Sequence, residues 1–419
     1  MKREVYLDHA ATTPIHPAVR DAMLPYLGEK FGNPSSFHSI GKTVKDDVDD
    51  ARERVARVLN VRADEILFTS GGTESDNLAI LGYARMNQSH GKHLITTKIE
   101  HHAVLETMMH LEKKEGFEVT YLEPDRDGLV TVEQVQAALR EDTILVSIMY
   151  ANNEIGTIEP IAQIGNMIQK WRTSRDAPPA VAEAMAGRKG AMKEGAKKIV
   201  FHTDACQAPE YLSLDVEKLH VDMLTLNGSK MYGPKGIGLL YVKRGIKLEP
   251  LQYGGSQERA IRPGTENVAG IIGMATALEL AQADRENETH RLTPLRDRLI
   301  EGIRSSISKT RLNGHATTRL PNNVNISIMD IEGEALILYL DAHGVYASTG
   351  SACTSASLDP SHVILALGLP YEVAHGSLRL TLGRSTTQED IDYVIQILPP
   401  LVEKLRSISP VNVDEKYFA

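Results

Sequence analysis

Between residues 65 and 243, short apolar runs alternate with longer amphipathic stretches, and this alternation constrains the fold more than any other feature of the chain. "EILFT" (65–69), "HLITT" (93–97), "FEVTYL" (117–122), "TILVSIM" (143–149), "KIVFH" (198–202) and "VDMLTL" (221–226) read as buried strands. Their continuous apolar character suits strands covered on both faces. "ESDNLAILGYARM" and "TVEQVQAALRE" have helical spacing, the second with Thr131 placed as N-cap. The pattern predicts an α/β fold, a mainly parallel central sheet flanked by helices. After about residue 263 it changes to long helices (267–284, 288–309, 387–406) with the strands "NVNISI" and "SLRLTL". The expected organisation is a large domain over 16–262 and a smaller α+β domain from 1–15 and 263–419. Within the first, 172–198 carries Pro-Pro and seven basic against three acidic residues, and reads as a surface insertion.

At 419 residues, two domains are the default for a chain that is 42% hydrophobic and 24% charged. A formal net charge of −9 argues against nucleic acid or an anionic membrane surface as the main partner. Two cysteines exclude a disulfide framework and suit a reducing compartment. "MKREVYLDHAATTP" lacks the apolar stretch of a signal peptide, and no run approaches the roughly 20 apolar residues of a spanning helix. The expected location is the cytoplasm.

In an α/β sheet, ligands bind where the carboxyl ends of the strands meet the following loops. After "EILFT" comes "SGGTESDN", a small-residue turn opening a helix, which serves either as a plain turn or as an anion cradle at Gly72 and Thr73. After "HLITT" come His101 and His102, where a histidine is a helix cap or a catalyst. "YANNEIG" places two asparagines, Asn152 and Asn153, at another strand end, where side-chain amides can orient a ligand. "TDACQ" places Asp204 and Gln207 at the end of a buried strand, so Asp204 needs a structural donor or a cationic ligand nitrogen. In "NGSKMYGPKG", Lys230 directly follows a strand. Singly, each has an ordinary structural reading. Together, an anion cradle, an imidazole, an amide, a buried carboxylate and a half-buried lysine at one end of successive strands match what pyridoxal phosphate requires. A lysine forms the Schiff base, a carboxylate keeps the pyridine nitrogen protonated, and a helix N-terminus takes the phosphate.

A lone thiol, Cys353, sits in "STGSACTSAS" among smaller side chains. A packed core would give it larger neighbours, a disulfide a partner, and a metal site a second ligand close by; no metal is expected.

"YLDHAATTP", "FGNPSS", "FTSGGTESDNLAI", "NNEIGT", "TDACQ", "YGPKGIG", "RPGTENV", "SACTSASLDPSHV" and "LRLTLGR" occur in this order over nearly the whole chain. In this the sequence resembles the NifS/IscS-type cysteine desulfurases, fold type I pyridoxal-phosphate enzymes of the class V aminotransferase superfamily. The resemblance implies removal of sulfur from L-cysteine to give L-alanine and a persulfide on Cys353. It also implies a homodimer and a protein sulfur acceptor, in iron–sulfur cluster assembly or tRNA thiolation.

Carried over position by position, the resemblance makes Lys230 the cofactor lysine and Asp204 the partner of the pyridine nitrogen. His101 would stack on the ring and move protons. Asn153 and Gln207 would contact the ring side, Gln207 near the phenolic oxygen. Gly72 and Thr73 would hold the phosphate, with Thr265 of the other subunit. Asn153 would also lie near the substrate, and Arg379 would clamp its carboxylate. Cys353 would be the nucleophile, on a loop resembling the family branch with the longer, mobile cysteine loop. Cys206 is expected to be a small buried hydrophobe.

The match departs in places. Asn227 and Ser229 stand where many members have Ser and His; both can still hydrogen-bond a phosphate, without the imidazole. The 172–198 stretch replaces a short connection. "SPVNVDEKYFA" ends the chain earlier than in the scaffold-binding branch. A selenocysteine lyase-type enzyme on the same fold, and a non-catalytic sulfur-relay protein with a degenerate cofactor site, are the competing readings. Lys230, Asp204, His101 and Arg379 speak against the second.

Overall fold

Seven strands form the central sheet: β2 (Ile66–Thr69), β3 (His93–Thr97), β4 (Glu118–Leu122), β5 (Thr143–Ser147), β6 (Val200–Asp204), β7 (Met223–Asn227) and β8 (Gly238–Val242). The computed structural model describes residues 3–175, 199–349, 360–410, 413, 414 and 417. Strand order is β2-β8-β7-β6-β5-β3-β4. The five strands from β7 to β4 are mutually parallel, whereas β8 runs antiparallel to both β2 and β7. The six expected strands are all present. β8, "GLLYV", was not expected, because its apolar run is short and follows a turn that reads as a motif rather than as a strand entry.

Alternate residues of each strand feed two separate cores, one per face. Phe68, Ile95, Val146, Phe201 and Leu224 pack on one side, with Leu67, Leu94, Leu145, Val200 and Met223 on the other. This explains the unbroken apolar runs, since neither face meets water. Chain direction reverses within the sheet: β3 leads outward to β4, whereas β5 leads the other way through β6 to β7. The gap between β3 and β5 is therefore a topological switch point, where strand-end loops diverge and leave a crevice.

A second core gathers β1 (Val5–Tyr6), the antiparallel sheet β12-β10-β9 and the C-terminal helix Gln388–Ile408. β9 is Thr310–Leu312, β10 Asn323–Ile328 and β12 Ser377–Thr381; β1 pairs in parallel with β11 (Val345–Tyr346). Both cores share one helix, Val268–Ser306. Ile271, Met274 and Leu278 enter the sheet's core, while Leu292, Leu299 and Ile303 enter the second. Two helices, 267–284 and 288–309, were expected here. Pro294 lies inside the helix without ending it, and apolar contacts at both ends hold the helix continuous.

The insertion begins later than residue 172. Helix Ile161–Arg175 continues through Arg172, whose guanidinium pairs with the buried carboxylate of Asp222. The remainder of the insertion, 176–198, lies outside the described residues.

Candidate active site

At the carboxyl ends of β2, β3, β5, β6 and β7 opens a cavity of about 370 Å³. Gly72, Thr73, His101, Asn153, Asp204, Gln207, Asn227, Lys230 and Arg379 all line it. Two other expected residues do not. Ser229 turns inward, its backbone N–H and hydroxyl both donating to Asn227 Oδ1 at 3.1 and 3.2 Å. Thr265 is exposed and stands apart from the lining of its own chain's cavity. Cys353 lies outside the described residues.

Local structure places each group. β7 ends in a short 3₁₀ turn, Gly228–Lys230, capped by Asn227, which swings Lys230 back over the strand end. Its Nζ donates to the Ala11 carbonyl and the residue is half-buried. On the neighbouring strand, Asp204 is 7% exposed and accepts from the Cys206 N–H at 2.9 Å. Gln207 donates to the Ala10 carbonyl at 3.1 Å, so the N-terminal segment closes this wall. Gly72 opens the helix after β2 and packs against Cys206. A Cβ at Gly72 would come within 2.8 Å of the Cys206 sulfur, so only glycine lets the helix approach this closely. Cys206 is partly exposed and lines the cavity, rather than being the fully buried hydrophobe expected.

His101 caps the helix His102–Glu115, its Nδ1 accepting from the Ala103 N–H at 3.1 Å. That bond leaves the proton of the neutral ring on Nε2. Burial holds the ring's pKa below the usual value; Asp204 opposes, and Lys230 and His102 add to the lowering. His101 is thus both the cap and a neutral imidazole in the cavity.

Arg379 on β12 is 2% exposed. Its Nη1 donates to the Asn153 carbonyl at 3.1 Å and its Nη2 to Asp8 Oδ1 at 2.9 Å. Its backbone pairs with Ser348, and Ser361 Oγ meets the Glu154 carboxyl, while His362 lines the cavity. Residues on either side of 350–359 therefore reach the cavity wall.

Sequence reasoning missed Asp8, Asp76, Glu154 and His362; His102, noted beside His101, also lines the cavity. Of the four missed, all but Asp8 line it. For Asp76 a signal existed: a carboxylate one helical turn beyond Gly72 falls on the same face as the glycine turn.

The arrangement fits pyridoxal phosphate. A half-buried amine and a buried carboxylate on adjacent strands face one crevice, with a glycine helix entry on one side and a buried guanidinium on the other. With the switch-point sheet, this defines a fold type I pyridoxal-phosphate enzyme. The chain belongs to the aminotransferase class-V family, whose model matches residues 5–174 and 189–394. It is 51% identical over 413 residues to a protein of Methanosarcina thermophila named cysteine desulfurase IscS, covering 99% of this chain and 95% of that one. Among solved structures, a NifS-like protein superposes with a TM-score of 0.85 at 34% identity, covering 96% of this chain and all of that one. A structure described as SspA in complex with cysteine superposes with a TM-score of 0.73 at 35% identity, covering 91% and 99%. The family match omits 175–188, inside the stretch read as an insertion.

Proposed function

We propose that the chain is a pyridoxal-phosphate-dependent cysteine desulfurase that passes sulfur from L-cysteine, through a persulfide on Cys353, to a protein acceptor. The observation that carries this reading is the joint opening of Lys230, Asp204 and Arg379 into one cavity. The cofactor, when bound, supplies an electron-withdrawing ring that weakens bonds at the substrate's Cα and Cβ. Lys230 holds the cofactor and offers its amine for proton transfer. Asp204 keeps the ring nitrogen protonated, because a buried carboxylate at a strand end needs a cationic partner. Gly72 and Thr73 offer N–H groups to the phosphate, with Asn227 beside them. Gln207 and Asn153, both in the cavity lining, would contact the ring side of the cofactor.

His101, neutral with its proton on Nε2, would lie against the ring and could pass that proton. Arg379 receives the substrate carboxylate between its contacts with Asn153 and Asp8, a planar fork suited to two-point binding. The Cys353 thiolate attacks the substrate sulfur; an S–S bond forms, the C–S bond breaks, and alanine leaves once its carbon takes up a proton.

The relative named cysteine desulfurase supports the substrate, and "SACTSAS" supports the nucleophile. The homodimer is supported by exposed Leu27, Phe31 and Phe37, and by Thr265, which needs a second subunit to reach a phosphate. The separate core of β1, β9, β10, β12 and the helix Gln388–Ile408 supports a smaller domain built from both ends of the chain, the division into 16–262 and 1–15 with 263–419. Ile271, Met274 and Leu278 pack in the sheet's core, which favours a boundary inside the shared helix rather than at 262. Among the described residues no helix is long and apolar enough to cross a membrane, which is consistent with work in the cytoplasm.

The purified protein should show the visible band of a lysine-bound cofactor and release alanine from L-cysteine. Lys230→Ala should lose both. Alanine release by Lys230→Ala at the parent rate would overturn the reading.

A further inference from the structure

Behind Asp204 lies a second carboxyl that the reaction above does not use. Asp76, on the helix Gly72–Asn77, is 1% exposed and also lines the cavity. Its Oδ1 has no hydrogen-bond partner among the described residues. The Nε2 of His202 stands 3.7 Å from that oxygen. His202 is fully buried and committed elsewhere: Nδ1 meets Ser147 Oγ at 2.9 Å and Nε2 meets Thr225 Oγ1 at 3.0 Å. Burial pulls its pKa down to about 4, so it brings no positive charge to Asp76 near neutral pH.

The other groups acting on Asp76 are Asp204 and Glu100, both carboxyls, and the Thr225 hydroxyl; the Cys206 thiol feels Asp76 in turn. Glu100 is fully buried and pushed up to about 8, so it too is neutral at pH 7. Thr225 lies opposite Asp204 in the register of β6 and β7, and His202 precedes Asp204 by two positions on the same strand face. Asp76, His202 and Asp204 are thus packed around Thr225.

Two carboxylates in one desolvated site cannot both be ionised without a compensating cation. The cofactor's ring nitrogen would supply one cation, held by Asp204. We propose that Asp76 and Asp204 act as one acid pair carrying a single negative charge, in which Asp76 is the neutral positioning partner and Asp204 the anion presented to the ring nitrogen. The proposal rests on the cofactor reading above. Burial first, and the charge of Asp204 second, push the Asp76 carboxyl well above its usual range, with Thr225 opposing.

The test compares Asp76→Asn, permanently neutral and of the same shape, with Asp76→Val, which offers Asp204 no polar neighbour. The readouts are the dissociation constant for pyridoxal phosphate and the pH titration of the bound cofactor's visible band. Asp76→Asn should bind within about threefold of the parent and leave the band's midpoint in place. Asp76→Val should bind at least about tenfold more weakly and move the midpoint, because Asp204 then shares its site with an apolar side chain. A midpoint displaced by about a full pH unit in Asp76→Asn would make Asp76 an anion and sink the proposal. So would an Asp76→Val that binds and titrates like the parent. A third arm needs neither cofactor nor a folded Val variant. The infrared difference spectrum of parent minus Asp76→Asn, both cofactor-free at pH 7, should contain the C=O stretch of a protonated carboxylic acid, and a carboxylate signal in its place refutes the pair. A parent that never takes up pyridoxal phosphate would instead defeat the functional reading, leaving the infrared result to decide on Asp76.

Discussion

Arg379 Nη2 lies 2.9 Å from Asp8 Oδ1, an ion pair that ties the N-terminal segment to β12 across nearly the whole chain. The guanidinium is 2% exposed, its Nε has no partner among the described residues, and Asp8 is its ion-pair carboxylate. A buried cation deprived of its anion is costly, by roughly 3 kcal/mol. Asp8→Asn should therefore lower the substrate-free stability of the holoenzyme by about that amount in urea unfolding. A substrate carboxylate would supply the missing anion, so adding L-alanine should raise the melting temperature more in Asp8→Asn than in the parent. Equal shifts would mean that Arg379 does not receive the carboxylate. Arg379→Ala should raise the KM for cysteine strongly while moving the visible band little.

Glu154 gives a pH signature. Burial pushes its carboxyl up to about 7, with the Ser361 hydrogen bond and Arg379 opposing. Because the folded value is above the unfolded one, the stability it contributes is fully present below about pH 4.5 and is lost as pH rises through about 7. Glu154→Gln should thus be more stable than the parent at pH 8, by on the order of 3 kcal/mol, with the advantage gone at pH 4. Urea unfolding of the two cofactor-free proteins at both pH values decides it; an advantage that grows on acidification would refute the buried neutral acid.

The two cysteines should separate cleanly. Burial first, then the charge of Asp204, push the Cys206 thiol well above its usual range, so it is a poor nucleophile at neutral pH. Cys353→Ser should keep its cofactor and bind cysteine but release no alanine beyond background. Cys206→Ser should retain turnover, and iodoacetamide at pH 7.5 should label the parent at Cys353. Sustained turnover by Cys353→Ser, or loss only in Cys206→Ser, would move the nucleophile elsewhere.

Removing residues 176–188 should leave alanine release within about twofold of the parent. The family match omits 175–188, and helix Ile161–Arg175 is anchored upstream of the cut by the Arg172–Asp222 pair. Loss of cofactor in the deletion variant would show that this stretch belongs to the core.

The sequence determined what short-range periodicity and strand-end position can encode. Buried parallel strands show as unbroken apolar runs, so the loops after them are located, and with them Gly72, His101, Asn153, Asp204 and Lys230. The cap formed by Thr131 was legible for the same reason: its hydroxyl accepts from the N–H of Gln134, only three residues on. Tertiary structure alone decided features with no local signature. β8 is a strand because Gly238, whose Cβ would strike the backbone of Gly71 at 2.6 Å, lets β2 and its turn lie against it. Pro294 sits within a helix because two separate cores grip the helix ends. Asp76 reads as a polar residue early in a helix, and Asp8 as part of a terminal motif; neither pattern says which distant strand it will meet. Closing the chain places Asp8 against Arg379 and Asp76 behind Asp204, where burial changes what a carboxylate can do.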